Sequence, residues 1–157
     1  MLIIADLSKG KLLVGDSVFA ISCKVRTLQE GTRASHEVVL SIPKGLPYDP
    51  RPFPKGSWNI TGIEYQKDKR FDPRTYGPVK IRTDAFQMVK VWELDGDKDY
   101  LQETDRLVKD IGYLLHYSNS STTLGCIRLS SPNDAETIAT IVKNLLNNGE
   151  NVQLDVI

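Results

Sequence analysis

Short runs in which hydrophobic and polar positions alternate recur along most of the chain, and turn signals such as Lys9-Gly10 and Gly15-Asp16 separate them. Side chains of a β-strand point alternately to its two faces, so this period of two predicts strands. We predict strands at residues 2–6, 11–14, 18–25, 37–42, 57–65, 79–83, 86–94, 111–117, 126–129 and 152–156. The chain is therefore expected to be mainly β.

Helical signals occur only in the last third of the chain. Residues 131–148 have Ser131 as a predicted N-cap, Pro132 at the first helical position and an apolar stripe that includes Ile138 and Val142. Residues 100–109 are predicted to form a second, shorter helix. The predicted architecture is a β-sandwich or partly open barrel with one C-terminal α-helix packed on it, in a single domain over residues 1–157.

Five prolines fall between residues 43 and 54, and this density excludes a helix or a central strand there. We predict an irregular surface segment. It is either a lid over a substrate or a stiff connector, and the sequence leaves both open.

The overall composition excludes several classes of partner. The 20 basic residues balance the 20 acidic ones, and the pI of 6.7 predicts no basic surface for nucleic acid. No apolar run approaches the roughly 20 residues of a membrane-spanning helix. Residues 1–5 lack the basic start and long apolar segment of a secretory signal, so we expect either delivery by another route or a sequence from which a signal has been trimmed.

The chain has two cysteines and two histidines, which argues against a metal site, and the sequence implies no cofactor. Cys23 lies in a predicted strand and is interpreted as a packing residue. Cys126 follows the turn glycine Gly125. A disulfide or a redox pair between the two cysteines stays open.

Reactive residue types are concentrated in residues 116–129. A histidine can act as the base for a cysteine nucleophile, so His116 and Cys126 form a candidate pair. Gly125 permits a tight backbone that exposes amide groups to an oxyanion. A catalytic thiol is expected to alkylate rapidly near neutral pH, whereas a buried structural thiol stays inert. A core role for both side chains is the alternative.

The stretch Thr123-Leu124-Gly125-Cys126-Ile127-Arg128-Leu129 resembles the Ser/Thr-His-Gly-Cys-Val/Ile-Arg-Met/Leu motif of the L,D-transpeptidase catalytic domain, also called the YkuD domain. His116 stands where that family has its upstream histidine. Residues 54–60 resemble the family's Pro-x-Gly-x-aromatic-x-Ile strand entry, and Tyr76-Gly77-Pro78 resembles its Gly-Pro before a strand. The resemblance covers about residues 45–130.

This resemblance implies a reaction on peptidoglycan stem peptides. Cys126 would attack the carbonyl between the third and fourth residues of the stem, with His116 as the general base. The amides of Gly125 and Cys126 would form the oxyanion hole, and the carbonyl of Tyr117 would orient the imidazole. Arg128 would shape the site or bind a substrate carboxylate, with pairing to a surface acid such as Asp134 or Glu136 as the alternative.

Tyr117, Thr123 and Tyr76 are predicted to contact the substrate, with a role as a turn residue as the alternative for Thr123. Two features depart from the family pattern: Leu124 replaces a second histidine, and only nine residues separate His116 from Cys126. This compact form resembles phage proteins and secretion effectors, which act in the periplasm or cell wall. An immunity or inhibitor protein is then a possible partner, and a non-catalytic peptidoglycan-binding or phage structural module is the rival interpretation.

Overall fold

The computed structural model describes residues 1–25, 51–66, 77–94, 101–120, 123 and 125–157. Within these ranges, ten strands and one helix follow one another along the chain. The strands are β1 (Leu2–Asp6), β2 (Lys11–Val14), β3 (Ser17–Ser22), β4 (Gly56–Tyr65), β5 (Val79–Thr83), β6 (Phe86–Leu94), β7 (Leu101–Ile111), β8 (Leu114–Tyr117), β9 (Ile127–Leu129) and β10 (Gln153–Val156). The helix, α1, spans Pro132–Asn147.

Eight of these strands close into a barrel in the order β1-β10-β4-β5-β8-β9-β3-β2. Most neighbours are antiparallel, but β1 pairs with β10, and β8 with β9, in parallel. A parallel pair cannot be joined by a tight turn, so β8 and β9 are linked by a longer loop. That loop is the segment on which the sequence concentrates its reactive residues.

Helix α1 begins and ends where the sequence predicts it. The side chain of Ser131 accepts a hydrogen bond from the backbone N–H of Asp134 at 3.1 Å, and Pro132 occupies the first turn. The helix buries Ala135, Ile138 and Val142 against the barrel core. Among the described residues, no helix has the length and apolar character needed to span a membrane.

The prediction of a helix at residues 100–109 is wrong. Residues 101–109 belong to β7, which pairs with β6 in a long antiparallel hairpin, from Phe86 opposite Ile111 to Leu94 opposite Leu101, and residue 100 lies outside the described residues. The hairpin forms a two-stranded sheet of its own beside the barrel. The segment contains good helix formers such as Leu, Gln, Glu, Arg and Lys, but intrinsic propensity is a weak determinant, and the pairing with β6 overrides it.

Side chains on β5, β8 and β9 point alternately to the two faces of the sheet, so the core lies on one face and the predicted site on the other. Ile81 on β5, Leu115 on β8, and Ile127 and Leu129 on β9 are fully buried in the core. Their neighbours in sequence therefore point to the opposite face of the sheet. That outer face carries His116 and the residues discussed below.

The predicted mainly β fold with one C-terminal helix is confirmed. Nine of the ten predicted strands appear, with ends that differ by a few residues from the prediction at β3 and β8. The tenth, at residues 37–42, lies outside the described residues, as does the part of the proline-rich segment before residue 51.

Candidate active site

The pairing of β5, β8 and β9 places basic side chains in one row on the outer face. Lys80 on β5 lies opposite His116 on β8, and His116 lies opposite Arg128 on β9. Each is partly buried, between neighbours that point into the core. The sheet therefore brings His116 and Arg128 side by side, although eleven residues separate them along the chain.

Cys126 immediately precedes β9, and the parallel register continues so that it lies beside Leu114, two residues before His116. Because side chains alternate, Cys126 shares the outer face with His116. The thiol donates a long hydrogen bond to the carbonyl oxygen of Gly112, at 3.8 Å. No hydrogen bond joins Cys126 to His116, both of which the structure describes.

The imidazole of His116 is held by the backbone. Its Nδ1 lies 2.7 Å from the carbonyl oxygen of Tyr117, the contact expected from the resemblance. A carbonyl can only accept a hydrogen bond, so Nδ1 carries the proton and Nε2 is the basic nitrogen of the neutral ring. Burial lowers the pKa of His116, the bond to Tyr117 opposes this, and the charge of Lys80 lowers it further. The resting imidazole is therefore neutral at pH 7.

The thiol is also neutral at rest. Burial raises the pKa of Cys126 to about 11; a hydrogen bond with the backbone of Leu114 lowers it, and the charge of the neighbouring Cys23 raises it. At pH 7 the thiol is therefore almost entirely protonated. This argues against the rapid alkylation at neutral pH that the catalytic interpretation predicts. The site rests as a thiol beside a neutral imidazole, not as an ion pair.

Thr123 shapes the turn that leads into Cys126. Its hydroxyl donates to the carbonyl oxygen of Cys126 at 2.8 Å and accepts from the N–H of Gly125 at 3.3 Å. Its own N–H donates to the carbonyl oxygen of Lys24 at 2.8 Å, which ties the turn to the end of β3. The Gly125 amide thus has an internal partner at rest, and an oxyanion would have to compete with this long bond.

Gly125 lies where no other residue fits. Its φ is +120°, and a Cβ built on it would come within 2.6 Å of a ring carbon of Tyr113 and 2.7 Å of the carbonyl oxygen of Arg51. Both contacts are shorter than any real Cβ contact. The glycine before the cysteine is therefore needed for packing as well as for backbone conformation.

Cys23 supports this turn from the core side. Its thiol donates to the carbonyl oxygen of Gly125 at 3.4 Å and accepts from the N–H of Phe53 at 3.3 Å. Burial raises the pKa of the Cys23 thiol. Both cysteines are free, so the structure contains no disulfide between Cys23 and Cys126. The packing role predicted for Cys23 includes a hydrogen bond that braces the turn.

A hydrogen-bonded cluster beside Cys126 was missed in the sequence. Tyr113, only 2% exposed, donates its hydroxyl proton to Asp110 at 2.6 Å and accepts from the side-chain amide of Gln87 at 2.8 Å. Gln87 also donates to the carbonyl oxygen of Pro52 at 2.8 Å. Burial raises the pKa of Asp110, and its charge raises that of Cys126. No local pattern marks these residues, because they meet only through the β6–β7 hairpin.

Arg128 holds the start of the active-site loop. Its Nε donates to the carbonyl oxygen of Ser118 at 2.6 Å, and its guanidinium lies 5.8 Å from the centre of the Tyr117 ring. Asp134 and Glu136, both described, form no salt bridge with it. These contacts favour a site-shaping role over pairing with a surface acid.

The three predicted substrate-binding residues differ in their surroundings. The side chain of Tyr117 packs against the edge of the core and against Gly77, where an added Cβ would lie 2.9 Å from it. The hydroxyl of Thr123 is engaged within the turn. Tyr76 lies outside the described residues. Contact of these residues with a substrate stays a prediction.

An open cleft of about 390 Å³ lies beside the start of β8. Its wall includes Gly112 and Leu114, the two residues whose backbone lies near the Cys126 thiol. Arg82 and Glu64 also line it and form a salt bridge of 3.9 Å. The cleft therefore adjoins the backbone with which the Cys126 thiol is in contact.

Comparison with known proteins gives one match. The family model of the L,D-transpeptidase catalytic domain, YkuD, matches residues 22–153. No curated protein and no solved structure matches the chain. The matched region contains His116, Cys126 and the hairpin, and it extends beyond the region in which motifs were visible.

Proposed function

The chain belongs to the L,D-transpeptidase catalytic domain family, whose members modify the peptidoglycan of the cell wall, and on that premise we propose that it is a cysteine-dependent acyl transferase. Its substrate would be a peptidoglycan stem peptide and its intermediate a thioester on Cys126. Such an enzyme works as an L,D-transpeptidase, an L,D-carboxypeptidase or a D-amino acid exchange enzyme, depending on the acceptor. Its place of action is the periplasm or cell wall.

The observation that carries this proposal is the state of His116. Its Nδ1 is committed to the carbonyl oxygen of Tyr117, so the lone pair of Nε2 is free to accept a proton on the face shared with Cys126. A general base must have this tautomer, must be neutral at neutral pH so that it can accept a proton, and must share a face with the nucleophile. A core histidine has no need to present a basic nitrogen to an outer face.

In the first step, Sγ of Cys126 bonds to the carbonyl carbon between the third and fourth stem residues while Nε2 of His116 takes the thiol proton. The amides of Gly125 and Cys126 stabilise the resulting oxyanion. The carbon–nitrogen bond then breaks, and His116 returns the proton to the leaving amine. The products are a thioester on Cys126 and a free terminal D-amino acid.

In the second step, an amine or water attacks the thioester carbonyl, and His116 takes a proton from it. The carbon–sulfur bond breaks, and the proton passes to the departing thiolate of Cys126. An amine gives a new amide, and water gives a free carboxylic acid. The protonated resting thiol fits this sequence, because proton transfer and attack occur together and no prior thiolate is needed.

The proposal is tested by incubating the protein with tetrapeptide muropeptides and following the products by mass spectrometry. We expect loss or exchange of the terminal D-amino acid, or a new dimer. Cys126→Ala is expected to abolish product, and His116→Gln to lower the rate by at least about 100-fold. Product formation that persists in Cys126→Ala would contradict the proposal.

A second candidate is a non-catalytic peptidoglycan-binding or phage structural module on the same fold. The high pKa of the Cys126 thiol and the lack of a hydrogen bond to His116 favour it. This candidate predicts that the protein sediments with purified peptidoglycan equally well with and without Cys126→Ala, and that no muropeptide changes mass.

A role as a secretion effector or phage protein is also proposed, from the short spacing between His116 and Cys126. Directing the protein to the periplasm of a growing bacterium should cause lysis or altered stem peptides, and Cys126→Ala should not. Unchanged growth and unchanged peptidoglycan would exclude this role. An inhibitor protein is expected only if the toxic effect is seen.

A further inference from the structure

Lys80 is a basic residue of the site that no motif identifies. It lies directly opposite His116 on the neighbouring strand, about 4.8 Å away at the backbone. Val79 and Ile81, which flank it, are fully buried, so its side chain points to the outer face with that of His116. Arg128 lies opposite His116 on the other side. Two cationic groups thus flank the imidazole in one row.

The ammonium group of Lys80 has no acidic partner among the described residues. Glu64 lies opposite it on β4, but the salt bridge of Glu64 is with Arg82, at 3.9 Å. The charge of Lys80 is close enough to lower the pKa of both His116 and Cys126. A partly buried cation beside His116, with no acidic partner in the part of the chain that the structure describes, is suited to bind an anion.

The direction of the substrate across the site follows from the chemistry of His116. Because His116 protonates the leaving amine, the leaving amino acid must lie on the His116 side of Cys126. Its carboxylate is one residue beyond the scissile carbonyl, a span of at most about 3.6 Å. The acyl part of the stem then extends the other way, into the cleft beside Gly112.

We propose that Lys80 is a specificity-determining residue that binds the carboxylate of the terminal amino acid before it leaves. This inference rests on the proposed function and adds the ligand group and the residue that recognises it. In the second step the incoming amine occupies the position that the leaving amine has vacated, since His116 must deprotonate it. Acceptors with a carboxylate on the carbon that bears the amine, such as free D-amino acids, are therefore favoured over simple amines.

Binding tests the inference without turnover. In a Cys126→Ala background, a tetrapeptide with a free terminal carboxylate is compared by calorimetry with the same peptide carrying a terminal amide. We expect the acid to bind at least about tenfold more tightly, the effect of one charge-assisted hydrogen bond. Lys80→Met should remove this difference and leave the affinity for the amide unchanged. Lys9→Met, in the exposed turn between β1 and β2, is the control and should preserve the difference.

Measuring turnover separates the proposed function from the proposed role of Lys80. If the wild-type protein converts no muropeptide, the proposed function fails, while the binding comparison still decides the role of Lys80. If it does convert them, exchange with a free D-amino acid should fall at least about tenfold in Lys80→Met, and exchange with the amide of that amino acid should not. The inference would be overturned if the Cys126→Ala protein with Lys80 intact bound the acid and the amide with equal affinity, or bound neither peptide. It would also be overturned if Lys80→Met lowered the affinity for both peptides equally.

Discussion

Replacing Gly125 by alanine tests the packing beneath the candidate nucleophile. The new methyl group would lie 2.6 Å from the Tyr113 ring and 2.7 Å from the carbonyl oxygen of Arg51. The ring cannot turn away easily, because the Tyr113 hydroxyl is bound to both Asp110 and Gln87. The carbonyl is part of the backbone, so relief requires a shift of the chain.

Two costs add in this variant. A non-glycine residue at a φ of +120° costs about 1–3 kcal/mol, and overpacking a tight site costs about another 1–3 kcal/mol. We therefore expect the free energy of unfolding in urea, followed by tryptophan fluorescence, to fall by about 2–6 kcal/mol. The acyl-transfer activity proposed above should be lost as well, because the amide of Cys126 moves with the turn.

Two other glycines separate the conformational cost from the steric one. Gly149 has a φ of +77° with nothing within 4 Å of an added Cβ, so Gly149→Ala carries only the conformational cost. Gly62 has neither constraint, so Gly62→Ala should change stability by less than about 0.5 kcal/mol. A loss in Gly125→Ala no larger than that in Gly149→Ala would refute the packing argument.

Three further outcomes follow from the site. The rate of Cys126 alkylation by iodoacetamide should rise about tenfold per pH unit from pH 7 to 10, because the thiolate fraction does so below a pKa of about 11; a rate that is flat across this range would contradict the pKa. Tyr113→Phe should lower the free energy of unfolding by about 1–3 kcal/mol, since buried polar groups lose their partner, and a loss under about 0.5 kcal/mol in urea denaturation would contradict this. Arg128→Lys should lower the free energy of unfolding by about 1.5–3 kcal/mol, because lysine cannot reproduce the 2.6 Å hydrogen bond to the carbonyl oxygen of Ser118. The control Arg82→Lys, at an exposed position, should cost at most about 0.5 kcal/mol. Equal losses of the two variants in thermal unfolding would count against the role of Arg128.

The sequence predicted those elements that are specified locally. The ends of β1, β2, β5 and β6 follow from alternation and from turn residues, and the capping signal at Ser131 marks the start of α1. The strand β7 could not be found in this way, since residues 101–111 are mostly polar and become a strand only by pairing with β6. Closure of the barrel through the parallel pairs β1–β10 and β8–β9 likewise depends on contacts between distant segments.

The candidate site shows the same division. His116, Gly125 and Cys126 lie within one short stretch, so a motif can indicate them together. Cys23 directly follows β3 and Lys80 lies on β5, and their places beside the motif depend on a register that the sequence does not specify. The motif therefore predicts the candidate reacting groups. The neighbouring groups that support them or add a charge beside them can be located only from the fold.

The pKa shifts of Cys126 and His116 have the same effect on charge. Burial favours the neutral form of both, because it raises the pKa of the Cys126 thiol and lowers that of the His116 imidazole. A thiolate–imidazolium pair is therefore disfavoured until charge appears elsewhere in the site, as it would on the carbonyl oxygen in the proposed attack by the thiol. Because the thiolate is the form that oxidants and alkylating agents attack, a thiol that stays protonated at rest is protected until a substrate arrives. Reactivity would then depend on substrate binding, and the groups that bind the substrate become as important for the rate as the pair that performs the chemistry.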